Sequence, residues 1–331
     1  MIAETLSPPS PSFLPGAVYA LPRIPYLRLR FVLRSEGKAV LPPFKGSLLR
    51  GAFGHALRRS TCSQGPGQGC RDCFLRRACL YTRIFETFID GEPPPFLKGL
   101  PTSPRPYVFE PLTEDTDFEP GDPLVFDLLL FGQATDLAAH ALLAVERMVG
   151  AGFGARRFPF VLDRVDASQP GDGWQEIYKE GRASPALARL APRFPSEAPV
   201  EERATLSFLT PTRLQVQGRL VEEPGFRALT FAMLRRTLEL ASFHVSGAEI
   251  DWHFRPLLDL ASRVSVVRSD LRWQELHRYS NRQERKISLG GFVGTLKLEG
   301  DLVPFGPLLR TAEVLHLGKE TTFGLGRIRV G

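Results

Sequence analysis

Two segments far apart in the chain end in the same way. Residues 153–162 read FGARRFPFVL and residues 323–330 read FGLGRIRV. Each follows a helical stretch, carries Phe-Gly and then an Arg, and runs into a strand of alternating residues. The segments before them also correspond. In the first half, IPYLRLRFVLR (24–34) alternates apolar and basic residues as a half-buried strand does. KGSLLRGAFGHALRRS (45–60) then places Leu48, Leu49, Ala52, Phe53, Ala56 and Leu57 on one helical face. YTRIFETFI and DPLVFDLLLFG are expected strands, and ATDLAAHALLAVERMVG is a helix with Thr135 or Asp136 near its N-cap. In the second half, ERATLSFLTPTRLQVQG is a strand broken by Pro211, and GFRALTFAMLRRTLELASFH is an amphipathic helix. GGFVGTLKLEG is a strand, and VPFGPLLRTAEVLH is a helix with Pro304 near its first turn. Strand–helix–strand–strand–helix–strand, twice, predicts an α+β fold of tandem ferredoxin-like, RRM-like units.

The expected boundaries are a loose Pro/Ser-rich arm at 1–23, a first unit at 24–165, a linker and insertion at 166–199 and a second unit at 200–331. No basic and apolar leader opens the chain. The longest apolar run, PLVFDLLLFG, is interrupted by Asp127 and is too short to span a bilayer. A soluble, cytoplasmic protein without a membrane partner is expected. The net charge of +6 favours anionic partners only mildly, so the distribution of charge has to carry that argument.

All four cysteines, Cys62, Cys70, Cys73 and Cys79, fall within one short loop. A C-x-x-C inside such a cluster points to metal more than to disulfides. Four thiolates suit a closed structural zinc site; an iron–sulfur cluster takes the same ligands, and reduced, unligated thiols are the plain alternative.

GKETTFGLGR (318–327) hints at a phosphate loop but fails the nucleotide P-loop test: Glu320 follows Lys319, and AEVLH before it holds no Gly. Its plain reading is a Gly-rich link from helix to strand. Between 268 and 297, seven cations (Arg268, Arg272, Arg278, Arg282, Arg285, Lys286, Lys297) face three carboxylates, with Trp273, Tyr279 and Phe292 interleaved. That pattern is a single-stranded nucleic-acid footprint, or a solvated basic helix face followed by a hairpin.

FKGSLLRGAFGHALR, CRDCFLRRACLYTRIFE, FLTPTRL, HRYSNRQ, LGGFVGTLKLEG and HLGKETTFGLGRI together resemble the CRISPR-associated endoribonucleases that process precursor RNA, members of the RAMP superfamily. The likeness is to the branch with RYSxRQ and a C-terminal GKxTxFGLG, and it spans roughly 24–331 apart from the linker. It implies two RRM-like folds and cleavage of CRISPR repeat RNA. It implies a reaction without a catalytic cofactor, in which a 2′-hydroxyl attacks and leaves a 2′,3′-cyclic phosphate. Hand-over of guide crRNA to an effector complex, and a possible homodimer, complete the expectation; a non-catalytic crRNA-binding subunit of such a complex is the alternative. The superfamily loop often carries a further Gly where this chain has His316.

Self-cleavage at a ribose needs a base, an acid and a cation. Imidazole serves the first two and Lys or Arg the third. Of six histidines, His55 on the first helix is the leading catalytic candidate. His316 beside the loop follows it, with Tyr279 and Lys45 in supporting roles. Candidate RNA contacts are Arg50, Arg58, Arg59, His277, Arg278, Arg282, Arg285, Lys286, Gly318, Lys319, Gly324, Gly326 and Arg327. Gly324 and Gly326 are chosen because a residue without Cβ lets phosphate approach the backbone.

Overall fold

Strand β1 (Tyr26–Ser35) shows what alternation does here. Leu27, Leu29, Phe31 and Leu33 all point into one core. Helix α1 (Gly46–Thr61) covers that face with Leu49, Phe53, Ala56 and Leu57, spaced three or four apart. Helix α2 (Ala138–Gly150) lies beside it, its 13 residues burying Ala141, Leu142, Val145, Met148 and Val149. A computed structural model describes residues 19–64, 69–93, 102–216, 218–280 and 285–331.

The first sheet is completed by β3 (Tyr107–Pro111), β5 (Pro123–Phe131), β6 (Phe160–Ser168), β7 (Trp174–Lys179) and β8 (Arg182–Ala183), in the order β3-β5-β1-β6-β7-β8 with every pair antiparallel. The short strands β2 (Ala39–Val40) and β4 (Asp117–Phe118) pair separately. The second sheet holds β9 (Arg203–Thr212), β12 (Ser265–Gln274), β15 (Gly291–Glu299) and β16 (Ile328–Val330), in the order β12-β15-β9-β16. Its helices are α3 (Phe226–His244) and α5 (Gly306–Leu315), with the short α4 (Arg255–Ala261) between them. The hairpins β10–β11 (Leu214–Val216, Arg219–Val221) and β13–β14 (His277–Ser280, Arg285–Ser288) are additions. In each sheet the unit's strands run second, third, first, fourth, which is the ferredoxin-like order expected twice from the sequence.

The structure departs from expectation at several elements. Residues 82–86, expected as strand, form a π-helical turn, and β3 supplies the missing strand. Pro211 does not break β9. It sits near the strand's end, and its carbonyl accepts the Gly326 amide at 3.1 Å. The stretch 166–199 is not a bare linker: β7 and β8 extend the first sheet, and Arg193 exchanges backbone hydrogen bonds with Tyr26. At the end of the supposed loose arm, Tyr19 is buried in the second core and donates its hydroxyl to the Asp251 carbonyl. Residues 1–18 lie outside the described residues. No helix among the described residues is long and apolar enough to cross a membrane.

The other face of the first sheet joins the two units. Its apolar end (Tyr26, Val108, Leu129, Phe131) packs on Leu240 and Ala241 of α3 and Leu315 of α5. Its charged end carries Arg28, Arg30, Glu110 and Asp127, and meets the segment that follows α5.

Candidate functional site

The start of α1, the start of β3, the Gly-rich loop and the β13–β14 hairpin meet around one side chain, Phe323. Gly46 lies so close that a Cβ there would overlap the Phe323 carbonyl. The Arg50 guanidinium stands 4.3 Å from the Phe85 ring centroid and 5.5 Å from that of Phe323. From the hairpin, the Arg278 guanidinium stands 5.1 Å from Phe323. Two cations against one ring repel each other, so aromatic π-density and a further anion both favour the arrangement. The Nε atoms of Arg50 and Arg278 are buried without a hydrogen-bond partner among the described residues, and so is the Tyr107 hydroxyl. Arg105 donates from Nε to the Phe85 carbonyl at 2.7 Å. Burial pulls its pKa below the ordinary arginine value, and the nearby charge of Arg50 adds to this. The cluster is therefore strongly cationic, with donors to spare.

Of the sequence-predicted residues, Arg50 and Arg278 come together here. Lys319 is exposed on the loop and Gly318 half-exposed beside it. All three loop glycines face protein, Gly318 against the Arg213 carbonyl. A Cβ on Gly324 would overlap the Phe109 carbonyl, and one on Gly326 the Leu317 carbonyl. Neither presents backbone to a phosphate. Arg327 pairs with Glu110 at 3.4 Å. Lys45 is 0% exposed. Its ammonium donates to the Pro43 carbonyl at 3.3 Å and lies 5.8 Å from the Phe118 ring centroid, so no surface phosphate is within its reach. Burial lowers its pKa, and Asp115 and Glu114 oppose that shift.

His55 is exposed on α1. At 100° per residue it points about 180° away from Gly46, and about 13 Å further along the axis. The helix thus turns it away from Phe323. Arg58 stands over the Tyr81 ring at 5.8 Å and Arg59 is exposed. His277 is exposed on β13, whereas Arg278, the next residue, points inwards to Phe323. The side chains of Tyr279, Arg285 and Lys286, and Arg282 altogether, lie outside the described residues. The sequence reading missed Tyr107, Arg105 and Phe323. A five-residue strand behind a Pro-rich approach carries no periodicity that could have found the first two.

His316 is 1% exposed, so it does not face solvent. Its Nδ1 meets the Leu325 carbonyl at 3.0 Å and its Nε2 meets Glu110 Oε1 at 2.9 Å. Glu110, also 1% exposed, accepts from Arg28 at 3.0 and 3.2 Å as well. Burial alone would raise the Glu110 pKa; the hydrogen bond and charge of His316, with Arg28 and Arg327, overrule it and hold the carboxyl at about 2. The His316 backbone, at φ 62° and ψ 164°, lies in a region that only Gly enters freely, at a cost of about 1–3 kcal/mol for other residues. This is the position where the superfamily loop often has Gly.

A second buried histidine sets a pH dependence. His244 Nε2 donates to the Pro104 carbonyl at 2.6 Å. Burial, reinforced by the Arg236 charge against that hydrogen bond, lowers its pKa to about 4. A histidine depressed in the fold stabilises above its unfolded pKa of about 6.5, and the contribution is lost as pH falls towards 4. Glu110, depressed below its ordinary 4.5, acts in the next window, contributing above pH 4.5 and failing towards 2. Unfolding free energy is expected to fall by about 3 kcal/mol between pH 7 and pH 4. His244→Gln, which keeps a donor but cannot titrate, should flatten that slope in urea titrations; a slope equal to wild type would assign the loss elsewhere.

Among the described residues no three His, Cys, Asp or Glu side chains gather as a metal site, and all four cysteines are free and half-buried. Burial raises the Cys70 thiol pKa, and the neighbouring Cys62 and Cys79 add to it, so three of the thiols lie near one another. Metal analysis of the purified protein is expected to find one zinc per chain if these thiols close on a metal; metal-free protein would leave them as reduced thiols.

Two ferredoxin-like units thus meet at a Gly-rich loop. Residues 206–328 match the CRISPR-associated endoribonuclease Cas6 family, and residues 23–190 match the N-terminal domain AF_1859_N. The Cas6 match thus falls on the second unit and the AF_1859_N match on the first. An uncharacterized protein of Archaeoglobus fulgidus is 23% identical over 295 residues, covering 88% of this chain and 92% of the relative. In fold, the chain is similar to Thermus thermophilus Cas6 (TM-score 0.53, 17% identity, covering 95% of this chain and 100% of that one). It is also similar to a Cas6 product complex (0.54, 19%, 93% and 99%). A third likeness is to a partial Cas6-RT-Cas1–Cas2 complex (0.52, 12%, 95% of this chain and 47% of that one).

Proposed function

We propose that this protein cuts CRISPR repeat RNA within precursor transcripts and releases guide crRNA for an effector complex. The Cas6-family match over residues 206–328 supports the RNA-cleaving class, and the cationic cluster around Phe323 supports an anionic substrate. The observation that carries the reading is the pair Arg50 and Arg278, which flank an aromatic ring while each keeps a buried, unpartnered Nε. A ribose-phosphate offers what the guanidiniums lack, phosphate oxygens as acceptors. In the reaction, a 2′-hydroxyl attacks the adjacent phosphorus, the P–O5′ bond breaks, and the products carry a 2′,3′-cyclic phosphate and a 5′-hydroxyl. The guanidiniums stabilise the extra negative charge of the transition state. His55 and His277 are the exposed imidazoles available among the candidate residues to move the protons.

Repeat RNA incubated in EDTA is expected to be cut, and a strand with one 2′-deoxy at the cut site is expected to resist. Equal cleavage of the deoxy strand would remove the mechanism. His55→Ala should slow cleavage by about 10²–10⁴-fold while leaving RNA affinity largely intact. If only His277→Ala does so, the acid–base role moves to the hairpin.

One observation favours a second reading, a non-catalytic crRNA-binding subunit: α1 carries His55 away from the loop. Tight repeat-RNA binding with no product under any condition would select it.

A further inference from the structure

The Gly-rich loop is stitched to the first unit at four points. The Phe323 carbonyl abuts Gly46 of α1, Gly324 sits against the Phe109 carbonyl of β3, and Arg327 and His316 both reach Glu110 of β3. His316 is the costly one. It holds a backbone conformation suited to Gly, and only its side chain explains its presence there. That side chain has acceptors at both ring nitrogens: a carbonyl, which can only accept, and a carboxylate already engaged by Arg28. Both contacts are hydrogen bonds only if both nitrogens carry protons.

We propose that His316, held between the Leu325 carbonyl and Glu110, is a positioning residue that clamps the Gly-rich loop onto strand β3. The clamp fixes Phe323 between Arg50 and Arg278, and it takes His316 out of the acid–base chemistry. The charged groups around it come from every neighbouring segment: Glu110 on β3, Arg28 and Arg30 on β1, Asp127 on β5 and Arg327 beyond the loop. Two buried carboxylates here meet three guanidiniums that stay partly open to solvent, and Glu110 is the one carboxylate that His316 itself touches.

The test reads the loop directly. Nitrogen-15 spectra of wild-type protein at pH 7 are expected to show both His316 ring nitrogens protonated; a neutral ring with one bare nitrogen overturns the proposal. Hydrogen exchange across 318–326 should speed up about tenfold or more in H316G and in E110Q, with the pair H316G/E110Q little worse than either alone. Wild-type protection in H316G, or independent additive effects, also overturns it. Should H316G fail to fold, E110Q and the wild-type spectrum still decide. With repeat RNA as substrate, both variants should lower the single-turnover rate alike and keep the shape of the pH profile. A titrating limb lost only in H316G would make His316 the proton carrier instead. The spectra and the exchange need no RNA, so failure of the nuclease reading leaves them standing.

Discussion

Asp127→Ala is expected to cost about 3–5 kcal/mol, a drop in midpoint temperature on the order of 10 °C. Asp127 lies in the middle of β5 and is completely buried. Its two oxygens accept from Arg30 Nε at 2.8 Å, Arg30 Nη2 at 3.1 Å and Arg28 Nη1 at 3.2 Å. The register places Arg30 and Glu110 directly opposite it on the flanking strands. Truncation leaves two neighbouring guanidiniums on one sheet face, Arg30 opposite Asp166 of β6 and Arg28 with Glu110. That residue also serves His316 and Arg327, so it absorbs only part of the imbalance. Asp127→Asn keeps the volume and one acceptor and should cost less than half as much. Filling the site with Leu should not restore stability, because the loss comes from stranded cations and not from a cavity. Urea denaturation of the three variants separates these contributions. An Ala variant within about 1 kcal/mol of wild type would mean that water replaces the carboxylate freely.

The same residue shows how much was legible. Alternation in β1 identified a strand with one buried face, and that face is the core. The opposite face carries Arg28 and Arg30 and was read as solvated. It instead meets carboxylates from two other strands and then the second unit. Charge at a strand position specifies polarity, not whether water or a carboxylate supplies the partner. The doubled pattern of elements gave both sheets their order, since helix and strand periods are local. The strand β3 was invisible, being short and adjacent to prolines, although it supplies Tyr107, Phe109 and Glu110. Arg50 and Arg278 were found by composition, but their meeting at Phe323 is tertiary. His316 is a different case. Proximity in sequence to a Gly-rich loop suggested that His316 faces the substrate, whereas a backbone in Gly territory turns its ring into the interface.

Gly326→Ala should be more damaging than a loss of RNA affinity, and this separates two views of the loop. Gly326 has φ of 72°. Its carbonyl accepts the Leu317 amide at 2.8 Å and its amide donates to Pro211 at 3.1 Å, which ties the loop's start to the end of β9. A methyl group here meets the Leu317 carbonyl, a backbone atom that can yield only by breaking those hydrogen bonds. Positive φ alone costs an Ala about 1–2 kcal/mol. The overlap brings the expected loss to about 4 kcal/mol or more. Gly171 and Gly218 are the controls: both have positive φ, at 77° and 81°, with open space where a Cβ would go. Ala at either should cost only the conformational part. If Gly326 instead opened onto an RNA phosphate, its Ala variant would unfold like these controls and lose repeat-RNA binding selectively. A urea midpoint at the control value together with weakened RNA binding would return the loop to the phosphate-cradle role; an early midpoint makes it the joint between the two units.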